Sequence, residues 1–201
     1  MNSDSTLDEG QRQRRPGGRT ADVSRRINEA VLELLAEGGI DNCTFQHVAA
    51  RAGIERSTLY RRNPDRWPAI VDALVDYSTR ELTFADTGSF KGNLRVLLDR
   101  VRSLFAGRMG PSILAVTAAL QGGAAPGELQ RAWTDRLLQL KPLFDSAIQR
   151  GELAPNVDQE ELLAIAAGPI LFSILIIGQP VDDATIDRLV DIIGLRYCTA
   201  C

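Results

Sequence analysis

The chain has 201 residues, of which 44% are hydrophobic and 24% are charged, and its net charge is −3. These values indicate a folded, soluble protein, and they exclude global disorder and a protein that coats nucleic acid through overall basic charge. The three cysteines, Cys43, Cys198 and Cys201, are too few for a disulfide framework and favour a reducing, cytoplasmic compartment. Cys198 and Cys201 form a C-x-x-C pair, which with a single histidine makes a poor zinc site, so we expect no metal site; a zinc or redox role of the pair stays open. We also expect no cofactor.

The N-terminal third predicts an arm followed by four helices. Residues 1–19 are polar and rich in glycine and arginine, which is typical of a flexible tail. Thr44 and Asp65 are expected to cap the helices that follow them, and Gly53 and Pro64 to end the helices before them. The helices predicted from apolar periodicity lie at 22–37, 45–52, 55–62 and 66–82.

Residues 83–90 predict a loop, and the pattern after it stays helical to the end. No segment alternates as a strand does, so the predicted fold class is all-α with about nine helices. The five remaining helices are predicted at 92–106, 111–121, 127–150, 158–178 and 182–197.

One segment, 162–178, carries no charged residue, and at 17 residues it lies at the lower edge of the length that crosses a membrane. Its flanks are acidic and lack the basic anchors of a membrane span, so we favour a helix buried in protein and expect no membrane contact. Since one small domain rarely surrounds a helix, this segment predicts a partner surface. Pro169 should kink or locally open the helix.

Residues 44–63 have the layout of a helix-turn-helix motif, in which a short turn with Gly53 joins two helices. The outward side of the second helix is Arg56, Ser57, Tyr60 and Arg61, which can reach base edges and phosphates. An ordinary helical hairpin with solvated arginines would show the same helix pattern. The local charge favours DNA, because residues 43–67 hold five arginines and two acidic residues.

The stretch TFQHVAARAGIERSTLYR, from Thr44 to Arg61, resembles the signature of TetR-type (TetR/AcrR-like) transcriptional regulators. The resemblance covers about 20–80 and implies three parts: an Arg-rich arm at 1–19, a DNA-binding domain at 20–80 and a ligand-binding and dimerisation domain at 81–201. Operator DNA and a second copy of the chain are the implied partners. The implied DNA contacts are Thr44, Gln46, Arg56, Ser57, Thr58, Tyr60, Arg61 and Arg66. The arm at 12–19 either enters the minor groove or remains a solvated tail.

The C-terminal half is similar to one class of TetR C-terminal domain, in which the last two long helices form the dimer interface. The implied homodimer interface is therefore about 158–197. A pocket for a small-molecule effector of apolar or aromatic character is expected among the helices from 92 to 175. Its predicted lining residues are Val101, Phe105, Met109, Thr117, Gln121, Trp133 and Phe172.

The resemblance implies a repressor that a small-molecule inducer releases from operator DNA. An alternative remains open: a helix-turn-helix regulator without a small-molecule ligand, controlled by a protein partner or acting as an activator. A cavity in the C-terminal half would discriminate between the two. We expect no enzyme, because the sequence has no nucleophile elbow, phosphate loop or carboxylate cluster.

Overall fold

The computed structural model describes the backbone of residues 18–199 and the side chains of residues 20–199. Over this range the regular secondary structure is helical, apart from one isolated antiparallel bridge between Leu153 and Cys198, which confirms the all-α prediction. The nine α-helices are α1 Gly18–Asn42, α2 Phe45–Ala52, α3 Arg56–Arg62, α4 Arg66–Leu82, α5 Phe90–Ala106, α6 Gly110–Gln121, α7 Glu128–Gln149, α8 Gln159–Leu171 and α9 Asp183–Tyr197.

Side-chain caps explain where several helices begin. The hydroxyl of Thr44 accepts a hydrogen bond from the His47 backbone N–H, and the Asp65 carboxylate accepts one from the Trp67 N–H at 2.8 Å. Both caps were predicted. Ser89, Asp158 and Asp182 cap α5, α8 and α9 in the same way. Each cap satisfies a backbone donor that a helix N-terminus otherwise leaves unpaired.

Helix α1 breaks at the expected glycine pair, and one more helical turn follows the break. Gly39 has a φ of 67°, in the left-handed region that other residues rarely adopt. The turn after it ends at Asn42, whose side-chain amide donates to the Leu34 carbonyl. The glycine pair therefore redirects the chain toward α2.

Two apolar cores organise the molecule. The first is formed by α1 to α4 together with Met109, Val116 and Leu120 around α6, and the second by α5, α7, α8 and α9. The buried Ser112 hydroxyl donates to the Leu35 carbonyl at 3.2 Å, which ties α6 to α1. Helix α6 therefore packs against the N-terminal core, although it follows α5 in the chain.

Helix α8 continues into a π-helical segment, Phe172–Ile177, that ends at Gly178. The α-helix continues through Pro169, and the opening begins three residues later, at Phe172, so the helix opens after the proline and not at it. The stretch Gln159–Ile177 is long and apolar enough to cross a membrane, with a mean hydropathy of 2.0, yet only 22% of its most apolar window is buried. It therefore presents an apolar surface that residues 20–199 of one chain leave uncovered.

Candidate nucleic-acid interface and C-terminal cavity

The turn between α2 and α3 is built from Gly53 and held by α1. Gly53 has φ 60° and ψ 44°, and the Ile54 N–H donates to the Ala49 carbonyl at 3.0 Å across the turn. From α1, the Arg26 guanidinium donates to the carbonyl of Ala52 and, at 2.6 Å, to that of Gly53. These charge-assisted hydrogen bonds fix the angle at which α3 leaves the turn.

Helix α3 is anchored by one residue and exposes the others. Leu59 is fully buried, whereas Arg56, Ser57, Tyr60 and Arg61 are exposed. Thr58 is half-buried at the margin of this face. The four exposed side chains offer guanidinium and hydroxyl donors on one side of a short helix, which suits the edges and phosphates of a major groove.

The Tyr60 ring is positioned by its neighbours although 57% of the residue is exposed. Its ring stands edge-on to Phe45, with the centroids 4.8 Å apart, and the Arg56 guanidinium lies 6.0 Å from its centroid. Arg56 also donates to the Tyr60 hydroxyl at 3.4 Å. This packing orders both side chains without burying their polar ends.

The remaining predicted DNA contacts differ in how available they are. Gln46 is exposed on α2. The Thr44 hydroxyl oxygen accepts the cap hydrogen bond, so the hydroxyl proton remains available to donate to DNA. Arg66 is half-buried: it donates to the Ile40 carbonyl at 3.3 Å and lies 5.3 Å from the Trp67 ring. The predicted arm contacts at 12–19 lie outside the residues whose side chains are described.

Two arginines counted toward the basic patch are instead engaged in holding helices together. Arg51 pairs with Glu33 at 2.9 Å and with Glu37 at 2.8 Å. The hydrogen bond that Arg51 donates lowers the pKa of Glu37, and the hydrogen bonds that the Glu37 and Glu33 carboxylates accept raise the pKa of Arg51. Arg62 donates to the Ser24 hydroxyl at 2.9 Å. The charge directed outward is therefore smaller than the sequence count, and it centres on Arg56 and Arg61.

A cavity of about 500 Å³ lies between the two cores, and α4, α5, α6, α7 and α8 form its walls. Four of the predicted lining residues face it: Val101, Phe105, Thr117 and Trp133. Three do not line it. Met109 is buried in the N-terminal core, Gln121 is exposed at the end of α6, and Phe172 is 57% exposed on the π-helical segment.

Lining residues on several helices were missed from the sequence, and on α8 they include Ala167. Helix α4 supplies Leu74, Val75 and Ser78, which the periodicity assigned to the N-terminal domain alone. Helix α7 supplies Arg136, and nothing in the sequence distinguishes this arginine from its neighbours on the same helix. The available signal was the set of apolar residues on α4, since Val71, Leu74 and Val75 line the cavity as well as packing in the N-terminal core.

The fold and the α3 face define a helix-turn-helix DNA-binding protein. A family model described as "Bacterial regulatory proteins, tetR family" matches residues 27–65, and one described as "Tetracyclin repressor-like, C-terminal domain" matches residues 84–193. The chain belongs to the TetR family of transcriptional regulators, as the sequence resemblance predicted, and regulators of this family bind operator DNA and form dimers.

Relatives agree over most of the chain. The transcriptional regulator YdeS of Bacillus subtilis (strain 168) is 30% identical and covers 83% of this chain and 85% of its own length. The DNA-binding transcriptional repressor TetR of Mycobacteroides abscessus is 30% identical, covering 84% and 90%. The crystal structure of the TetR family regulator SCO0332 is 25% identical with a TM-score of 0.71, covering 86% of this chain and 97% of its own.

Proposed function

We propose that this regulator is a cytoplasmic repressor whose homodimer holds operator DNA through α3 and releases it when a small molecule fills the C-terminal cavity. The observation that carries the DNA-binding part is the exposed row Arg56, Ser57, Tyr60 and Arg61 on a helix that buries only Leu59. The similarity to the transcriptional repressor of M. abscessus supports repression as opposed to activation. In this proposal residues 20–80 form the DNA-binding domain, and 81–201 form the effector and dimerisation domain.

The proposed base contacts are Gln46, Arg56, Ser57 and Arg61, with Thr58 at their edge. Arg56 and Arg61 suit guanine, because a guanidinium donates to the O6 and N7 acceptors together. The hydroxyls of Thr44 and Tyr60 are the proposed donors to phosphate oxygens. Arg66 reaches a phosphate only after leaving the Ile40 carbonyl, so we rank it as the weakest of the proposed contacts.

The dimer interface proposed at 158–197 is supported by exposed apolar side chains on α8, the π-helical segment and α9. Ile176 is 68% exposed and Leu195 is 74% exposed, and such side chains rarely cluster on the free surface of a soluble protein. A two-fold dimer would set the two α3 helices about 34–36 Å apart, one turn of DNA. A second copy therefore accounts for the apolar surface without a membrane.

The cavity supports effector control, since a regulator governed only by a protein partner would not need it. Helices α4 and α6 both line the cavity and both pack in the N-terminal core. The Ser112 hydroxyl, donating to Leu35, links α6 directly to α1. An effector that shifts α4 or α6 would change the separation of the two α3 helices. It can shift the equilibrium between the two conformations by no more than its difference in affinity for them.

Gel-shift titration on genomic fragments selected by the wild-type protein tests the DNA contacts. Arg56→Ala should weaken specific binding about tenfold or more, since a bidentate base contact contributes about 1–3 kcal/mol. Tyr60→Phe keeps the packing on Phe45 and removes only the hydroxyl, so it should weaken binding on all fragments alike. Arg100→Ala, an exposed arginine of α5, is the control. Unchanged affinity in both α3 variants would contradict the assignment.

Release of the bound fragment by bacterial metabolite extracts tests the effector. Ala167 lines the cavity from α8, so Ala167→Phe should fill it and leave the repressor on DNA when the extract is added. Although α8 belongs to the proposed interface, Ala167 lines the cavity, so the variant should remain a dimer by sedimentation velocity and keep wild-type affinity without extract. Equal release of wild type and Ala167→Phe would place the effector elsewhere.

A further inference from the structure

Most of the described side chains that line the cavity are apolar. The polar side chains that line it, apart from the Trp133 indole, are Ser78, Thr117 and Arg136. The Arg136 guanidinium, on α7, contacts two side chains: that of Ser78, which lines the cavity, and that of Gln139, which lies outside it. A guanidinium therefore borders a space that otherwise suits hydrocarbon.

Arg136 has no acidic partner among residues 20–199. Its guanidinium donates to the Ser78 hydroxyl and to the Gln139 side-chain oxygen at 3.0 Å, and no carboxylate oxygen lies within the 4.0 Å of an ion pair. Arg131, on the same helix, contacts the carboxylates of Asp72 at 2.8 Å and Glu128 at 2.7 Å. Burial lowers the pKa of Arg136, because its charged form is poorly solvated.

The hydrogen-bonding capacity left in the cavity is mostly that of a cationic donor. The Thr117 hydroxyl donates to the Ile113 carbonyl at 2.8 Å, and the Ser78 hydroxyl donates to the Val75 carbonyl at 3.1 Å. Both hydroxyl protons are therefore used within their own helices. A guanidinium carries five N–H donors, and the two hydrogen bonds of Arg136 leave others for a ligand.

A partly buried charge without a counter-charge destabilises the empty cavity, and an anion in contact with it removes that cost. Arginine pairs with carboxylate, sulfonate and phosphate groups through parallel hydrogen bonds, whereas a neutral ligand would leave the charge uncompensated. A volume of about 500 Å³ falls within the ordinary range of small-molecule sites. The size of the cavity, its apolar lining and the charge of Arg136 thus favour a small, largely apolar ligand that carries a negative charge.

We propose that the effector is an amphipathic anion, with an apolar or aromatic body in the cavity and one acidic group paired with Arg136. This inference rests on the proposed function, in which the cavity is the effector site. It narrows the apolar or aromatic class of effector expected from the sequence, because it adds an obligatory negative charge beside Arg136 and Ser78.

Two fluorescent probes with the same aromatic body test the charge requirement on the full-length dimer. 1-Anilinonaphthalene-8-sulfonate carries a sulfonate, and N-phenyl-1-naphthylamine lacks it. The wild-type protein should bind the sulfonate more tightly than the neutral probe. Arg136→Gln should weaken the sulfonate about tenfold or more, the range of a hydrogen bond to a charged group, and change the neutral probe by less than about threefold.

Arg131→Gln and Arg136→Lys are the matched variants. Arg131 lies on the same helix but does not line the cavity, so its variant should keep both affinities, while the lysine should keep part of the preference for the sulfonate. Equal losses of both probes in Arg136→Gln, or no loss of either, would overturn the charge requirement. Should Arg136→Gln not fold, the same question is decided by displacing the neutral probe from the wild-type protein. Displacement by decanoate and not by 1-decanol would support the charge requirement. Equal displacement by the two would overturn the inference.

The experiment separates this inference from the proposed function. Ala167→Phe should abolish cavity binding of both probes, which distinguishes the cavity from the exposed apolar surface of α8 and α9. If neither probe binds wild type in a manner that Ala167→Phe blocks, the cavity is not an effector site and both proposals fail. If both probes bind there with equal affinity, the effector site stands and the anionic class is wrong.

Discussion

At the scale of single residues, the arginines of the N-terminal part do two different things. Arg26, Arg51 and Arg62 donate to other parts of the fold, to carbonyls, carboxylates and a hydroxyl respectively. Arg61 has no hydrogen-bond or ion-pair partner among residues 20–199, and Arg56 contacts only the exposed Tyr60. The first group shapes the motif, and the second remains available to DNA.

We predict that Gly53→Ala lowers the free energy of unfolding by about 1–2 kcal/mol, the cost of a left-handed residue that carries a Cβ. The added Cβ would also lie 2.9 Å from the Arg26 guanidinium, so the Arg26 side chain, which donates to the carbonyls of the turn, must shift. Gly53→Asn should lose less, because asparagine tolerates this conformation better. Urea unfolding of the three proteins measures the difference, and equal stability of Gly53→Ala and wild type would contradict the prediction.

At the scale of elements, a polar network holds the connection between α4 and α5 in place. Asn93 is 1% exposed, accepts from the Thr87 N–H at 2.8 Å and donates to Asp86 at 2.8 Å. Asp86 also pairs with Arg150 at 3.1 Å, just past the end of α7. The loop is thereby fastened to the second core, which fixes the start of α5.

This network predicts an acid sensitivity. The hydrogen bond from Asn93, with those from the Gly88 N–H and Arg150, lowers the pKa of Asp86 from 3.8 to about 2. A carboxylate whose pKa is lower in the folded state stabilises it above its unfolded pKa. That stability is lost as the pH falls from about 4 to about 2.

We therefore expect Asp86→Asn to be less stable than wild type at pH 6 and to lose less stability than wild type between pH 6 and pH 3. The midpoint of urea unfolding at the two pH values measures both effects. Asp41→Asn is the control, because Asp41 makes no side-chain hydrogen bond or ion pair within the described chain. An identical pH response of Asp86→Asn and wild type would show that the network does not stabilise the folded state.

At the scale of the whole molecule, the exposed apolar side chains are concentrated at one side. Ile165, Phe172, Ile176 and Ile177 extend along α8 and its π-helical continuation, and Ile192 and Leu195 lie on α9. The π-helical segment places Phe172 outward, although the sequence suggested that it lines the cavity. We attribute this surface to the proposed dimer interface.

We predict that Leu195→Asp converts the dimer to a monomer at micromolar concentration and strongly reduces operator affinity, because a monomer engages one half-site. Leu138→Asp is the matched control: Leu138 is 63% exposed on α7, outside the proposed interface, so its variant should remain a dimer. Sedimentation velocity measures the association state. Dimers in both variants would contradict the interface at 158–197.

Much of the fold could be predicted because its signals are local. Thr44 and Asp65 cap their helices through hydrogen bonds two or three residues away, and Gly53 bends the chain through its own backbone freedom. Met109 and Phe172 were misassigned because helical periodicity identifies an apolar face without saying which neighbour covers it. Met109 meets the N-terminal core, and Phe172 meets no other element of the described chain closely enough to be buried.

The helices, the helix-turn-helix motif and the resemblance to the TetR family could be recognised from the sequence, since these depend on residues close together in the chain. Tertiary structure alone decided which arginines are available to DNA, because Arg51 meets its carboxylate partners on a different helix. It also decided the character of the cavity. Arg136 reaches Ser78 across 58 residues of chain, and only the packing of α4 against α7 brings that charge to an apolar space.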